Sequence, residues 1–205
     1  MAASLCVAAG LPAGQDNAAR AKPVRIVTSF YPMYIAALNV VGDAPGVELT
    51  NLTKPQSGCL HDYQLTPEDM IRLSHADIFV ANGAGTESFL DKVIRDRPSL
   101  KIVRASDGIE LIRGQGTQGE NPHVWLSVSF YMKEVANIAA GLERFDPGRA
   151  EDYRTNAAAY VAKLAALRQK MQDGLKDIKT RDIVTFHESF PYFAREFNLR
   201  VAAVI

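Results

Sequence analysis

Four short runs rich in β-branched residues alternate with helix-patterned segments, and this alternation leaves the chain few folds to choose from. The runs are "VRIVTSF", "GVELTNL", "ADIFVANG" and "LKIVRAS". Among them stand "YPMYIAALNVVG", closed by Gly42, then "EDMIRLSH" and "TESFLDKVIRD". Thr66-Pro67-Glu68-Asp69 is a helix start, with Thr66 as N-cap, Pro67 at the first position and two acids facing the positive end of the dipole. Strands that alternate with helices over short connections form a parallel sheet flanked by helices. Such sheets bind ligands beyond the carboxyl ends of their strands.

From Ile109 to Asn121 the chain is rich in Gly and Gln ("GIELIRGQGTQGEN") and reads as a loop. "VSFYMKEVANIAAGLERF" is an amphipathic helix, and Asp146-Pro147 starts another that runs to about Lys179. Tyr153, Ala157, Tyr160, Leu164, Leu167, Met171, Leu175 and Ile178 recur at steps of three and four, which makes one continuous apolar face. At ~1.5 Å per residue this helix reaches roughly 45 Å, enough to join two domains. Lys176, Lys179 and Arg181 suit its negative end. Strand "RDIVTF", a short helix within "ESFPYFAREF" and strand "LRVAAVI" follow.

The expected fold class is α/β. A leader-like segment over 1–22 precedes a parallel-sheet N-terminal lobe over 23–126 and a helical region over 127–180. Residues 181–205 read as the start of a second α/β lobe, because the sequence stops on a β-branched residue of a run, "LRVAAVI", that looks like a central strand and expects neighbours and a covering helix. Lys and Arg number 23, as do Asp and Glu, so no overall field selects nucleic acid or an anionic membrane. No apolar run approaches the ~20 residues of a membrane span. The opening "MAASLCVAAGLPAG" resembles the late part of a secretory signal, with Val7-Ala8-Ala9 as its cleavage site but no basic n-region. A disordered leader is the competing reading, and lipid attachment at Cys6 a third, with Leu5 bulkier than that signal usually accepts. Cys6 and Cys59 alone build no disulfide framework.

The chain holds four histidines. His75 ends a helix, where an imidazole meets the carbonyl end of the dipole, and it is assigned a structural role. His61 lies in the loop before Thr66. His123 stands in "NPHVWL", where Asn121-Pro122 sets the direction of entry, and His187 follows the strand "DIVTF". A lone histidine in a turn is ordinarily a hydrogen-bonding residue. Three at strand ends or seams raise a metal reading, since imidazole is the commonest metal ligand and three with one oxygen suit tetrahedral Zn2+. They lie more than sixty residues apart, with no H-E-x-x-H or C-x-x-C signature, so spacing leaves both readings open. Gly83-Ala84-Gly85 lacks the third glycine and later acid of a dinucleotide fingerprint and reads as a turn.

Three stretches carry a family resemblance: "HDYQLTPEDMIRLSHADIFVANGAGTESFLDKVI", "NPHVWLSV" and "VTFHESFPYFAREFNLRVAAVI". With the helix started by Asp146-Pro147 they cover the chain from Val24 to its end. In that order they resemble the metal-binding solute-binding proteins of ABC importers (cluster A-I), which capture zinc or manganese outside the cytoplasmic membrane. The resemblance implies two α/β lobes joined by a rigid helix, with the metal in the cleft between them and ligands at His61, His123 and His187. Manganese-type members carry Glu at the third position, so His187 implies Zn2+ over Mn2+, as the softer imidazole would. It also implies a location in the periplasm or on the cell surface and an ABC transporter membrane permease as partner.

The family's fourth ligand, usually an acid of the second lobe, has no counterpart before Ile205. Cys59 is a candidate additional ligand, with a small, partly buried thiol as the competing reading. Asp62 and Glu188, each beside a histidine, are candidates for orienting an imidazole, with a solvated face as the alternative. Tyr31 and Tyr63 are candidates for lining the cleft, and Trp125 for the core. The His-rich loop of some zinc-specific members is absent.

Three functions compete on these residues. Metal capture for a permease is the first, with affinity falling as the histidines protonate below about pH 6. A three-histidine zinc hydrolase is the second, with Glu188 as the adjacent general-base candidate; no catalytic residue is assigned and an enzyme is not expected. The third is a chain whose second lobe is incomplete, so that the edge of its last strand favours a dimer.

Overall fold

A computed structural model describes residues 22–54, 60, 63–114 and 119–205. The leader and Cys6 fall outside the described residues. The four expected strands form as β1 (Val24–Thr28), β2 (Val47–Asn51), β3 (Ile78–Ala81) and β4 (Lys101–Arg104). They pair in parallel in the order β2-β1-β3-β4. All four residues of β3 are buried, which is why its sequence is apolar without alternation. The chain leaves β1 for β2 on one side and returns to β3 on the other. That reversal opens a crevice at the carboxyl ends of these strands.

The helix α1 (Tyr31–Val41) stops where Gly42 turns to a φ of 54°, a conformation that glycine adopts without strain. The helix α2 (Pro67–His75) begins with a reciprocal cap. Thr66 Oγ1 accepts the Asp69 N–H at 3.2 Å, and the Asp69 carboxylate accepts the Thr66 N–H at 2.9 Å. After α3 (Leu90–Asp96) and β4 come two long helices, α4 (Val128–Phe145) and α5 (Ala150–Gly174). α1 and α4 pack on the sheet, and α5 packs on both helices. Gly141 brings α4 close to β4, for a Cβ there would stand 2.5 Å from Val103 Cγ2.

Three helix bounds differ from the sequence expectation, the first being the start of α5, which follows a 3-10 turn over Pro147–Arg149 instead of beginning at Asp146-Pro147. α3 starts at Leu90 rather than Thr86, because Gly83, Ala84 and Gly85 all hold positive φ (82°, 51° and 80°) and the Glu87 carboxylate binds that turn instead of continuing a helix. α5 ends at Gly174, so its 25 residues span about 37 Å, shorter than the expected helix to Lys179. Its apolar face is buried at Tyr153, Ala157 and Leu164, whereas Leu167 is 46% exposed. Arg181 does reach the chain past the helix end, donating to the Lys176 carbonyl at 3.1 Å.

The last segment forms β5 (Asp182–Thr185), α6 (Pro191–Glu196) and β6 (Arg200–Val204), with β5 and β6 paired in parallel. A carboxylate joins it to the helices. Glu196 accepts from Ser127 Oγ at 2.7 Å, Ser129 Oγ at 2.6 Å and the Ser129 N–H at 3.1 Å, and it pairs with Arg168 Nε at 2.6 Å. Ser127 is also the N-cap of α4, so an acid from α6 sits at the positive end of that helix. Burial pushes the Glu196 carboxyl up, but the bonds from Ser129, Ser127 and Arg168 outweigh it and hold the group below its usual range. A lowered folded value gives stability that is present above the ordinary 4.5 and lost as the pH falls toward the folded value. Glu196→Gln should therefore cost about 1–2 kcal/mol in urea denaturation at pH 7, since Arg168 is partly exposed and screened by solvent. Its difference from the natural chain should shrink as the pH is lowered below 4.5.

Candidate metal site

A cleft of about 360 Å³ opens at the carboxyl ends of β1 and β2. Phe30, Tyr31, Thr53 and Lys54 line it from the sheet, His123 and Trp125 from the start of the helical region, and His187, Ser189 and Phe190 from the segment after β5. Three separate stretches of sequence thus meet in one concavity. Trp125, expected in the core, does both jobs. It packs edge-on against Phe30 with ring centres 4.9 Å apart, and it borders the cleft beside the His123 ring at 5.1 Å.

His123 is buried and His187 is exposed, and the structure brings their rings together. The two Nε2 atoms stand 3.1 Å apart, with ring centres 4.9 Å apart and planes at 82°. The backbone around His123 is held from three sides. Asn82 Nδ2 donates to the Pro122 carbonyl at 3.2 Å, and Tyr192 Oη donates to the Asn121 carbonyl at 2.6 Å. The Asn121 side chain, itself buried, lies within 3.0 Å of the His123 N–H and 2.9 Å of its Nδ1, and it reaches the Glu188 carbonyl at 2.7 Å. Two imidazoles that point nitrogen to nitrogen across a seam can share a proton or a metal ion.

Two buried acids escaped the sequence reading. Glu87 accepts the Asn82 N–H at 2.7 Å and the Gly83 N–H at 3.0 Å; burial pushes its carboxyl up and these bonds oppose the shift. Glu134 is fully buried, and burial together with the Glu87 charge pushes its carboxyl well above the usual carboxylate range. Steps of four place Glu134 on one face of α4 with Ile138 and Leu142, both buried, and that spacing was the available signal.

His61, Cys59 and Asp62 lie outside the described residues. Among the described residues no group of three or more His, Cys, Asp or Glu gathers in a way that would hold a metal. The residues flanking His61 are anchored. Leu60 is buried, the Tyr63 N–H donates to its carbonyl at 3.1 Å, and Tyr63 Oη donates to Asp69 at 2.8 Å. Burial and that bond raise the Tyr63 hydroxyl to about 12. Glu188 lines a separate small pocket with Ile112, Arg113 and Pro191. His75, at the end of α2, borders another with Arg25, Glu48 and Arg72.

Residues 26–205 match the family described as zinc-uptake complex component A, periplasmic. The high-affinity zinc uptake system protein ZnuA of Bacillus subtilis (strain 168) is 32% identical over 192 residues, which cover 86% of this chain and 59% of that protein. The iron-binding protein YfeA of Yersinia pestis is 33% identical over 185 residues, covering 88% of this chain and 58% of that protein. The chain thus spans somewhat under three fifths of the length of these curated relatives. The crystal structure of the Zn(II)-bound ZnuA-like domain of Streptococcus pneumoniae AdcA superposes with a TM-score of 0.80 at 29% identity, covering 89% of this chain and 67% of that one.

Asp69 ties the end of the His61 loop to α2 through Tyr63 and Thr66. Asp69→Ala should cost about 2 kcal/mol by leaving those donors without their acceptor. Amide hydrogen exchange should then quicken at Tyr63 and Thr66 while the middle of α4 keeps its protection.

Proposed function

The chain belongs to the periplasmic zinc-uptake component A family, and from that premise we propose that it captures Zn2+ outside the cytoplasm for delivery to an ABC transporter permease. One observation carries this reading. Two imidazole nitrogens that bind one zinc ion at ~2.0–2.1 Å in a tetrahedral shell lie about 3.3 Å apart. The Nε2 atoms of His123 and His187 stand at 3.1 Å, within a few tenths of an ångström of that spacing. His123 and His187 are two of the ligands in this proposal, and His61 is the third, supported by the fixed residues on each side of it.

Imidazole at His187 favours Zn2+ over Mn2+, since a carboxylate there would suit the harder ion. Cys59 remains the candidate fourth ligand within the chain, with water as its rival. The proposed organisation is a metal-binding lobe over 23–126, a helical region over 127–180 and the beginning of a second lobe over 181–205. The cleft at their meeting is where the ion would be desolvated. Membership in an uptake family supports transport over the three-histidine hydrolase.

Zinc titration by calorimetry should give one site per chain, with Mn2+ bound more weakly in competition. Loss of even an outer partner of a metal ligand costs roughly 10–100-fold in affinity, so His123→Ala and His187→Ala should each exceed about 100-fold. Unchanged binding in the triple variant with His61→Ala would refute the assignment.

A further inference from the structure

The Asn121 amide makes contacts that determine which nitrogen of His123 faces the cleft. The His123 backbone N–H, 3.0 Å away, can only donate, so the amide atom that faces it is the oxygen. The Glu188 carbonyl, 2.7 Å from the other end, can only accept, so the atom facing it is the NH2 group. The amide orientation is therefore set by two backbone partners that have no alternative role. That same oxygen lies 2.9 Å from His123 Nδ1. Nδ1 must then carry the proton, and in a neutral imidazole Nε2 is left with its lone pair. This is the nitrogen that points at His187.

We propose that Asn121 is the positioning residue of the site, locking His123 in the Nδ1–H tautomer so that Nε2 is ready for a metal before any metal arrives. The same amide holds the backbone that carries the second imidazole, because its NH2 group binds the carbonyl of Glu188, the residue after His187. One side chain thus sets both the chemistry of the first ligand and the reach of the second. Asn121 is 4% exposed, and both ends of its amide are held by protein partners. Its own carbonyl is held by Tyr192, which anchors the amide in turn. The consequence for affinity rests on the metal reading above, whereas the tautomer does not.

The test uses the metal-free chain first. Nitrogen chemical shifts of the His123 ring should report Nδ1–H in the natural chain. Asn121→Ala should release the ring toward the Nε2–H form and weaken zinc binding by roughly 10–100-fold. Asn121→Asp keeps an oxygen for Nδ1–H, replaces the donor to the Glu188 carbonyl by a second acceptor and adds a negative charge. It should retain the tautomer and bind zinc more tightly than Asn121→Ala. Retention of Nδ1–H in a folded Asn121→Ala, or its loss in Asn121→Asp, would overturn the proposal. If the tautomer responds as expected but the natural chain takes up no zinc, the metal reading falls and the lock stands.

Discussion

A short polar seam decides how the two halves of this molecule sit together. The last segment, a two-stranded sheet and one brief helix, docks through the buried Tyr192, which packs with Ile109, Val124 and Phe130, and through polar bonds around it. It is held by Asn121 to the Glu188 carbonyl, by Tyr192 to Asn121 and Ile112, and by Glu196 to Ser127, Ser129 and Arg168. Bonds of this kind contribute little each, but an unmet buried partner is costly, so they select one arrangement over its neighbours. The meeting of His123 with His187 is a result of that selection.

The site inherits an asymmetry from this construction. His123 is buried and braced from the sheet by Asn82 and from α6 by Tyr192, whereas His187 stands exposed at the end of a strand. Under the proposed metal reading, a prepared nitrogen on the rigid side and a second one on the open side would suit an ion that enters from solvent and sheds its water stepwise. The apolar lining from Phe30, Trp125 and Phe190 would favour that loss of water.

Much of the framework was legible in the residues. Apolar runs marked β1 to β4, and the spacing of α4 gave its bounds from Val128 to Phe145. Thr66-Pro67 marked the start of α2. The misses share a cause, since each was decided by a partner remote in sequence or by a turn that pattern does not encode. Glu87 was expected within a helix and serves a turn, and Glu134, not singled out within its amphipathic helix, is fully buried. For the site, three histidines were visible as candidates but their contact was not. Asn121 read only as a backbone device beside Pro122, because a sequence carries no sign of where an amide's two ends will land.

The central claim is that a metal ion occupies the point where His123 and His187 converge. X-ray absorption on the zinc-loaded chain tests it most directly. The account predicts a first shell of nitrogen and oxygen at ~2.0–2.1 Å with the outer scattering of imidazole rings, weakened in His123→Ala and His187→Ala. A shell without imidazole scattering, or one unchanged by either substitution, would contradict it.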